Sequence, residues 1–271
     1  MKPMFAVQFT DRDDTELHKT VDALKSARLD YELFGLIHYS DDVTNLESFP
    51  TDRPVIPLGS TKMLELYLNG KLPSNWKVIY DVNAFDQQRY ANHYEGELLN
   101  YDAKYDVYCY ARDWCYLKDV FVKPVNDLKV FGGFILEAHT TLDQALAKTS
   151  HAEINSYEKL LFAPTINIYR EFRLFIVDGE IVDASEYRNN GQIKHRKVSE
   201  DTGFKLQDYF QSIKDPNAPS MYALDIGEVD GPEGIVFKVI ELNCFHCSGM
   251  YACDQSLIYQ EVAHYVEHMK W

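Results

Sequence analysis

Basic charge is scarce in this sequence: 27 Lys and Arg stand against 42 Asp and Glu, a formal net charge of −15. Such a chain repels polyphosphate backbones except where its few cations gather, which excludes general nucleic-acid binding. Long apolar runs are missing as well. No stretch approaches the roughly 20 residues needed to cross a bilayer, so no membrane partner is expected. The opening, "MKPMFAVQFT", has too short an apolar run for a signal peptide and is followed at once by acids. The cytoplasm is therefore the expected location. Cysteine is sparse and odd in number. Five residues, at 109, 115, 244, 247 and 253, cannot all pair within one chain, and a chain of this size needs no disulfides, so free thiols are expected. Internal repeats and low-complexity segments are absent too, as is any Ser-His-Asp or Cys-His arrangement that would supply a protein nucleophile.

What is present suits a globule. Apolar residues make up 46% and aromatics 14% of 271 positions, enough for one large domain or two modest ones, and two are expected. "FAVQF" reads as a buried strand, and Leu17, Val21 and Leu24 fall on one helical stripe after it. "YELFGLIHY" and "RPVIPLGS" supply further strands, and Ser60 is placed to cap the helix "TKMLELYLNG", stopped by Gly70. This alternation favours a parallel sheet with helices packed on it. A tyrosine-rich stretch follows from about 80 to 118, with one helix expected over 87–99. A domain boundary falls there, giving units of 1–105 and 106–271.

From 119 the pattern sharpens. Strands "DVFVKPV" and "FILEAH" precede the helix "TLDQALAKTS", and two hairpins follow. "YREFRLFIV" and "EIVDASEYR" flank Asp178-Gly179, a tight-turn pair; "MYALDIGEV" and "GIVFKVIELN" flank "DGPEG". An amphipathic helix closes the sequence.

The stretch "VIELNCFHCSGMYACD" (239–254) can be read as a metal site in two ways. Cys244, Cys247, Cys253 and His246 invite zinc, but a structural zinc site usually needs two separated ligand pairs, and Cys109 and Cys115 form no matching knuckle. In the oxygen reading, Glu241 and Asn243 are two apart and project from one strand face. Asp225 lies on the preceding strand of the same hairpin, near cross-strand alignment with Glu241. Two carboxylates and an amide oxygen suit magnesium, which prefers a few carboxylates plus phosphates and water. Lys123 sits inside the apolar "VFVKPV", where an ammonium must reach outward or meet an anion. Arg173 sits likewise in "REFRLFIV", on the face of Glu171. Cations in two apolar strands, upstream of an Asp…Glu-x-Asn set, are what a magnesium-triphosphate clamp requires.

This ordered set resembles the ATP-grasp superfamily. "FVKPVNDLKVFGG", "EFRLF" and "ELNCFHCSGMY" resemble, more narrowly, the clade named for one arginine and two lysines, many of whose members are encoded by phages or bacteria. The resemblance covers residues 119–255. It implies an α+β fold, with an N-terminal α/β domain followed by two α+β subdomains that clamp a nucleotide between antiparallel sheets. It further implies that Lys123 and Lys129 bind phosphate, with Lys129 on the loop closing over the nucleotide, and that Arg173 neutralises the transferred phosphoryl. Asp225, Glu241 and Asn243 would hold Mg2+. Backbone groups of "LLFAPT" (160–165), including Phe162 and Ala163, would read adenine, and Glu171 would join the ATP site. Two departures stand out: "NDLKVFGG" replaces a Gly/Ser-rich loop, and the adenine link lacks the glutamate that often binds ribose.

The implied activity is that of an ATP-dependent carboxylate-amine ligase, with a small molecule, peptide or protein as acceptor and an amine as co-substrate. If the chain is phage-encoded, the location is the host cytoplasm. A kinase acting on a hydroxyl, a non-catalytic nucleotide-binding module and a zinc module are the alternatives. Lys194 and Arg196, in the cationic "IKHRKVSED" expected as a solvated loop, and Ser248 and Tyr251, just past the metal ligands, are expected at the acceptor.

Overall fold

The computed structural model describes residues 1–9, 15–37, 40–81, 83–125, 130–148 and 154–269. Lys129 lies outside the described residues. Among them no helix is long and apolar enough to cross a membrane.

Three sheets follow one another along the chain. The first contains β1 (Met4–Phe9), β2 (Tyr31–Leu36), β3 (Val43–Thr44) and β4 (Val55–Leu58) in the order β3-β2-β1-β4. Strand β1 runs parallel to both β2 and β4, and β3 adds an antiparallel edge. All four residues of β4 and the first four of β1 are buried, the continuous apolar run expected of parallel strands covered on both faces. Helices α1 (Thr15–Ser26) and α2 (Thr61–Leu68) accompany this sheet. Ser60 takes the N-cap position of α2 without capping it. Its N–H and hydroxyl both donate to Gln8 Oε1, at 2.8 and 3.0 Å, tying the end of β4 to the end of β1.

The helix expected over 87–99 shrinks to α3 (Gln87–Tyr90) and a series of turns. Strand pairing competes for its second half: Leu99 N–H donates to Val239 O and Val239 N–H to Glu97 O, at 2.9 and 2.8 Å. The chain then enters a second, antiparallel sheet of β5 (Lys104–Val107), β6 (Val120–Pro124), β7 (Phe134–Leu136) and β8 (Lys159–Pro164), ordered β5-β8-β6-β7. One face carries Val122, Leu136, Leu160 and Phe162 against Leu142 and Leu146 of α5 (Leu142–Leu146), which follows the short α4 (Tyr108–Ala111). Leu161 and Ala163 pack on the other face with Phe121 and Val125, and the β6–β8 register puts Lys123 on that face as well.

The third sheet is built from β9 (Ile168–Val177), β10 (Glu180–Asn189), β11 (Gln192–Lys197), β12 (Met221–Gly231) and β13 (Gly234–Cys244), in the order β11-β10-β9-β12-β13. Asp178 and Gly179 both take positive φ, 51° and 75°, the turn geometry that lets a two-residue loop match strand twist. "IKHRK", expected as a loop, is the edge strand β11, and "SED" opens an unanticipated helix, α6 (Glu200–Ile213), capped by Ser199. Every residue of β11 is exposed, so it lacks the apolar alternation that marks half-buried strands.

Phe172, Leu174, Ile176, Tyr222 and Leu224 face one way, into a core shared with Met4, Phe34, Val55 and Trp76 of the N-terminal region. Phe175, Val177, Met221 and Ala223 face the other way, against Ile258, Tyr259 and Val262 of α7 (Gln255–His268). Further along that second face the apolar residues give way to charge.

Candidate active site

Arg173, Asp225 and Glu241 lie in one row across three strands, because the register pairs Arg173 with Asp225 and Asp225 with Glu241. A bulge creates the second pairing. Asp225 stands opposite Glu241 but Ile226 opposite Val239, so Ile240 is the extra residue that shifts the register. Lys123 comes in from the second sheet, its Nζ 2.6 Å from Glu241 Oε2. The Arg173 guanidinium grips Asp225 with two hydrogen bonds of 2.8 Å, and its third nitrogen donates to Gly249 O at 3.3 Å. Asn243 Nδ2 donates to Asp225 Oδ2 at 3.2 Å. The structure therefore brings Lys123, Arg173, Asp225, Glu241 and Asn243 into one contiguous chain of contacts.

The two cations stand at the ends of this row with the two carboxylates between them, and most of this charge is out of water. Arg173 is 5% exposed and Asp225 2%. Burial alone would lower the pKa of Arg173, but the facing Asp225 carboxylate overrides it and holds the pKa above its usual value. Two aromatic rings help confine the guanidinium: its carbon lies 5.0 Å from the Tyr251 centroid and 5.7 Å from that of Tyr187. The two tyrosines stack at 4.9 Å. Tyr187 OH donates to Glu171 Oε2 at 2.7 Å, and Arg188 approaches the same carboxylate at 3.3 Å. Burial first, and then Asp225 and Glu171, push the Tyr187 pKa well above normal, so this hydroxyl keeps its proton. Glu171 is thus held beside the row rather than in it.

The oxygen donors fit a hard divalent cation. Among the described residues no three His, Cys, Asp or Glu side chains gather into a cage. Two carboxylates and an amide form only a partial shell, one that phosphate oxygens and water would complete for magnesium. The sulfur reading fails at His246. This residue is fully buried and both ring nitrogens are engaged, Nδ1 with Pro57 O at 2.8 Å and Nε2 with the Ile79 N–H at 2.9 Å. Burial, opposed only by the Pro57 bond, lowers its pKa to about 4. It is a neutral strut between the first and third sheets.

The remaining expected residues divide. Phe162 points away from Lys123, its ring among Trp114 and Tyr116, whereas Ala163 shares the Lys123 face. Strand β8 is an interior strand, and β5 covers its outer edge only as far as Phe162. Leu160–Phe162 are thus flanked by partners on both sides, and the stretch from Ala163 onward is what remains for reading a base. Arg196 turns to the opposite face of the third sheet, 2.6 Å from Glu186, and Lys194 is exposed. His195 is the member of that cluster that meets the site, with its ring 4.7 Å from Tyr251. Ser248 Oγ donates to Cys244 O at 2.7 Å.

Two cavities flank the row. One, of about 120 Å³, is bounded by Lys123, Val125, Phe131, Gly133 and Glu241. A second, of about 270 Å³, opens where the ends of β1 and β4 (Gln8, Gly59, Ser60) meet residues 245–250. Strand order reverses between β1 and β4, the crevice in which open α/β sheets bind ligands. Tyr187, Gly249 and the bracing role of His246 went unanticipated. Alternation along β10 could have flagged Tyr187, two positions after the partner of Arg173. The other two act through contacts distant in sequence.

Residues 108–261 match the family described as ATP-grasp domain, R2K clade family 2. No curated protein sequence matches. The fold is similar to that of D-alanine–D-alanine ligase from Bacillus anthracis complexed with ATP, with 11% identity, TM-score 0.57 and 98% of each chain covered. A RimK domain ATP-grasp protein from Sphaerobacter thermophilus is similar at 12% identity and TM-score 0.51, over 97% of this chain and 99% of that one. The ATP-grasp ligase PsnB complexed with minimal precursor gives 11% and 0.52 over 97% and 99%.

Proposed function

The chain belongs to the ATP-grasp domains of R2K clade family 2, and from that premise we propose that it is an ATP-dependent carboxylate-amine ligase. A carboxylate takes the γ-phosphoryl of ATP, and an amine then displaces phosphate from the resulting acyl phosphate to leave an amide. The observation that carries this reading is the row in which Lys123 meets Glu241 and Arg173 meets Asp225.

Each cation and carboxylate in the row neutralises its neighbour. A magnesium-bound triphosphate presents the complementary pattern, anionic oxygens for Lys123 and Arg173 and a cation for Asp225, Glu241 and the Asn243 amide. When bound, the metal supplies charge neutralisation on the phosphates. The chain's residues do the rest. Lys123 and, by family resemblance, Lys129 hold phosphate oxygens; Arg173, fixed by Asp225 and two aromatic rings, holds positive charge where the moving phosphoryl gains negative charge. Phosphoryl transfer of this kind needs positioning and preorganised charge more than a protein nucleophile. The base would lie along the chain from Ala163, beside Glu171, and the acceptor in the larger cavity near Ser248 and Tyr251.

The test is an ADP-release screen over amino acids and peptides, with Lys123→Ala as control and mass spectrometry of the product. Magnesium-dependent ADP release with an amide product supports the ligase; a phosphorylated hydroxyl identifies a kinase. Turnover unchanged in Lys123→Ala would remove the site assignment.

A further inference from the structure

We propose that β11 is a docking edge for an extended acidic peptide, which adds to the third sheet as a sixth strand and carries the acceptor to the site. The proposal rests on the ligase reading and names its acceptor class.

Strand β11 ends the sheet, and among the described residues it pairs only with β10. All six of its residues are exposed, so its outer row of peptide groups faces solvent and can pair with another chain. Its side chains are anomalous for this protein. Lys194, His195, Arg196 and Lys197 follow one another in a chain of net charge −15. Arg196 is neutralised by Glu186, which leaves Lys194 and Lys197 to attract an acidic strand. Cations on an edge also discourage self-association. That role alone would not align the strand with the site, yet Lys197 is opposite Ser185, Ser185 opposite Arg173, and Arg173 opposite Asp225. His195 meanwhile lies on Tyr251, the ring that covers Arg173.

The row sets a distance. A strand added beyond β11 lies three spacings from β9, roughly 14 Å. About four extended residues cover that gap, so the acceptor carboxylate belongs four or more positions from the docked stretch.

The experiment measures fluorescence anisotropy of labelled heptapeptides without nucleotide. The probes are alternating Glu/Thr, alternating Lys/Thr, and Glu/Thr with every second amide N-methylated, alongside a single-stranded oligonucleotide. Hydrogen exchange across residues 192–197 is followed in parallel. The Glu/Thr peptide should bind and protect those amides, and N-methylation should weaken binding about tenfold or more by deleting strand hydrogen bonds. The Lys194→Glu/Lys197→Glu variant should weaken it by at least a similar, roughly tenfold factor. Absence of Glu/Thr binding, indifference to N-methylation, protection confined to other segments, or preference for the oligonucleotide overturns the proposal. Because no nucleotide is present, docking that persists in a protein unable to turn over ATP supports this inference while removing the ligase reading.

Discussion

Arg173 and Asp225 face each other as cross-strand neighbours, joined by two hydrogen bonds of 2.8 Å and almost wholly buried. An ion pair in this setting gives little net stability against an apolar replacement, since both charges lose their hydration, but breaking it leaves a charge stranded. Its presence at the sheet centre is better explained by function than by folding. The single substitution Asp225→Asn should therefore destabilise the protein by roughly 3–5 kcal/mol in urea denaturation. The double variant Arg173→Met/Asp225→Leu should recover most of that loss and yet bind no MgATP. Recovered stability with retained binding would assign the pair a structural role.

Tyr251 carries a second test, since it holds φ at 52°, a region that disfavours residues with a Cβ. Tyr251→Gly relieves the backbone while removing the ring from Arg173. The melting midpoint is expected to change by no more than about 3 °C, the backbone gain offsetting lost packing. Phosphoryl transfer should nevertheless fall, by about tenfold for a cation–π contact in a desolvated site. An equal fall in stability and activity would make the ring mere packing.

His246 makes stability depend on pH. The unfolded imidazole binds a proton below about 6.5, the folded one only below about 4. The unfolded state thus holds more protons between these values, so stability is full above pH 6.5 and declines as the pH falls towards 4, by roughly 3 kcal/mol in total. Denaturant midpoints at pH 7.5 and 4.5 measure the decline, and His246→Gln should reduce the slope. An unchanged slope in that variant would assign the acid sensitivity to other groups.

Because both His246 nitrogens are already bonded, chelation should leave the fold intact. Protein purified without added metal is expected to hold no stoichiometric zinc and to keep its circular dichroism in EDTA. Stoichiometric zinc with unfolding on its removal would restore the sulfur reading.

Much of the candidate site was legible because strand period is local. Residues two apart share a face, so Glu171 with Arg173 and Glu241 with Asn243 could be paired by counting, and Asp178-Gly179 announced its hairpin. Register was not legible: Asp225 meets Glu241 only because Ile240 is bulged, a feature without a sequence signal. The charged run that holds Lys194 and Arg196 was expected as a loop. As a strand it sends Arg196 to Glu186 on the far face and leaves His195 at Tyr251. The helix over 87–99 failed for a related reason, since pairing with Val239 overrides local preference. Helix α6 was missed behind the same charged run, and the bonds of His246 to Pro57 and Ile79 span more than 160 positions.

The convergence of Lys123, Arg173, Asp225 and Glu241 on one nucleotide is tested most directly by isothermal titration of MgATP into the wild-type protein and into Glu241→Gln, each repeated with EDTA. A shared site predicts one-to-one binding by the wild type that depends on magnesium, and binding weakened at least about tenfold in the variant, where a charged ligand is lost. Equal affinity in the two proteins, or binding indifferent to EDTA, would contradict it.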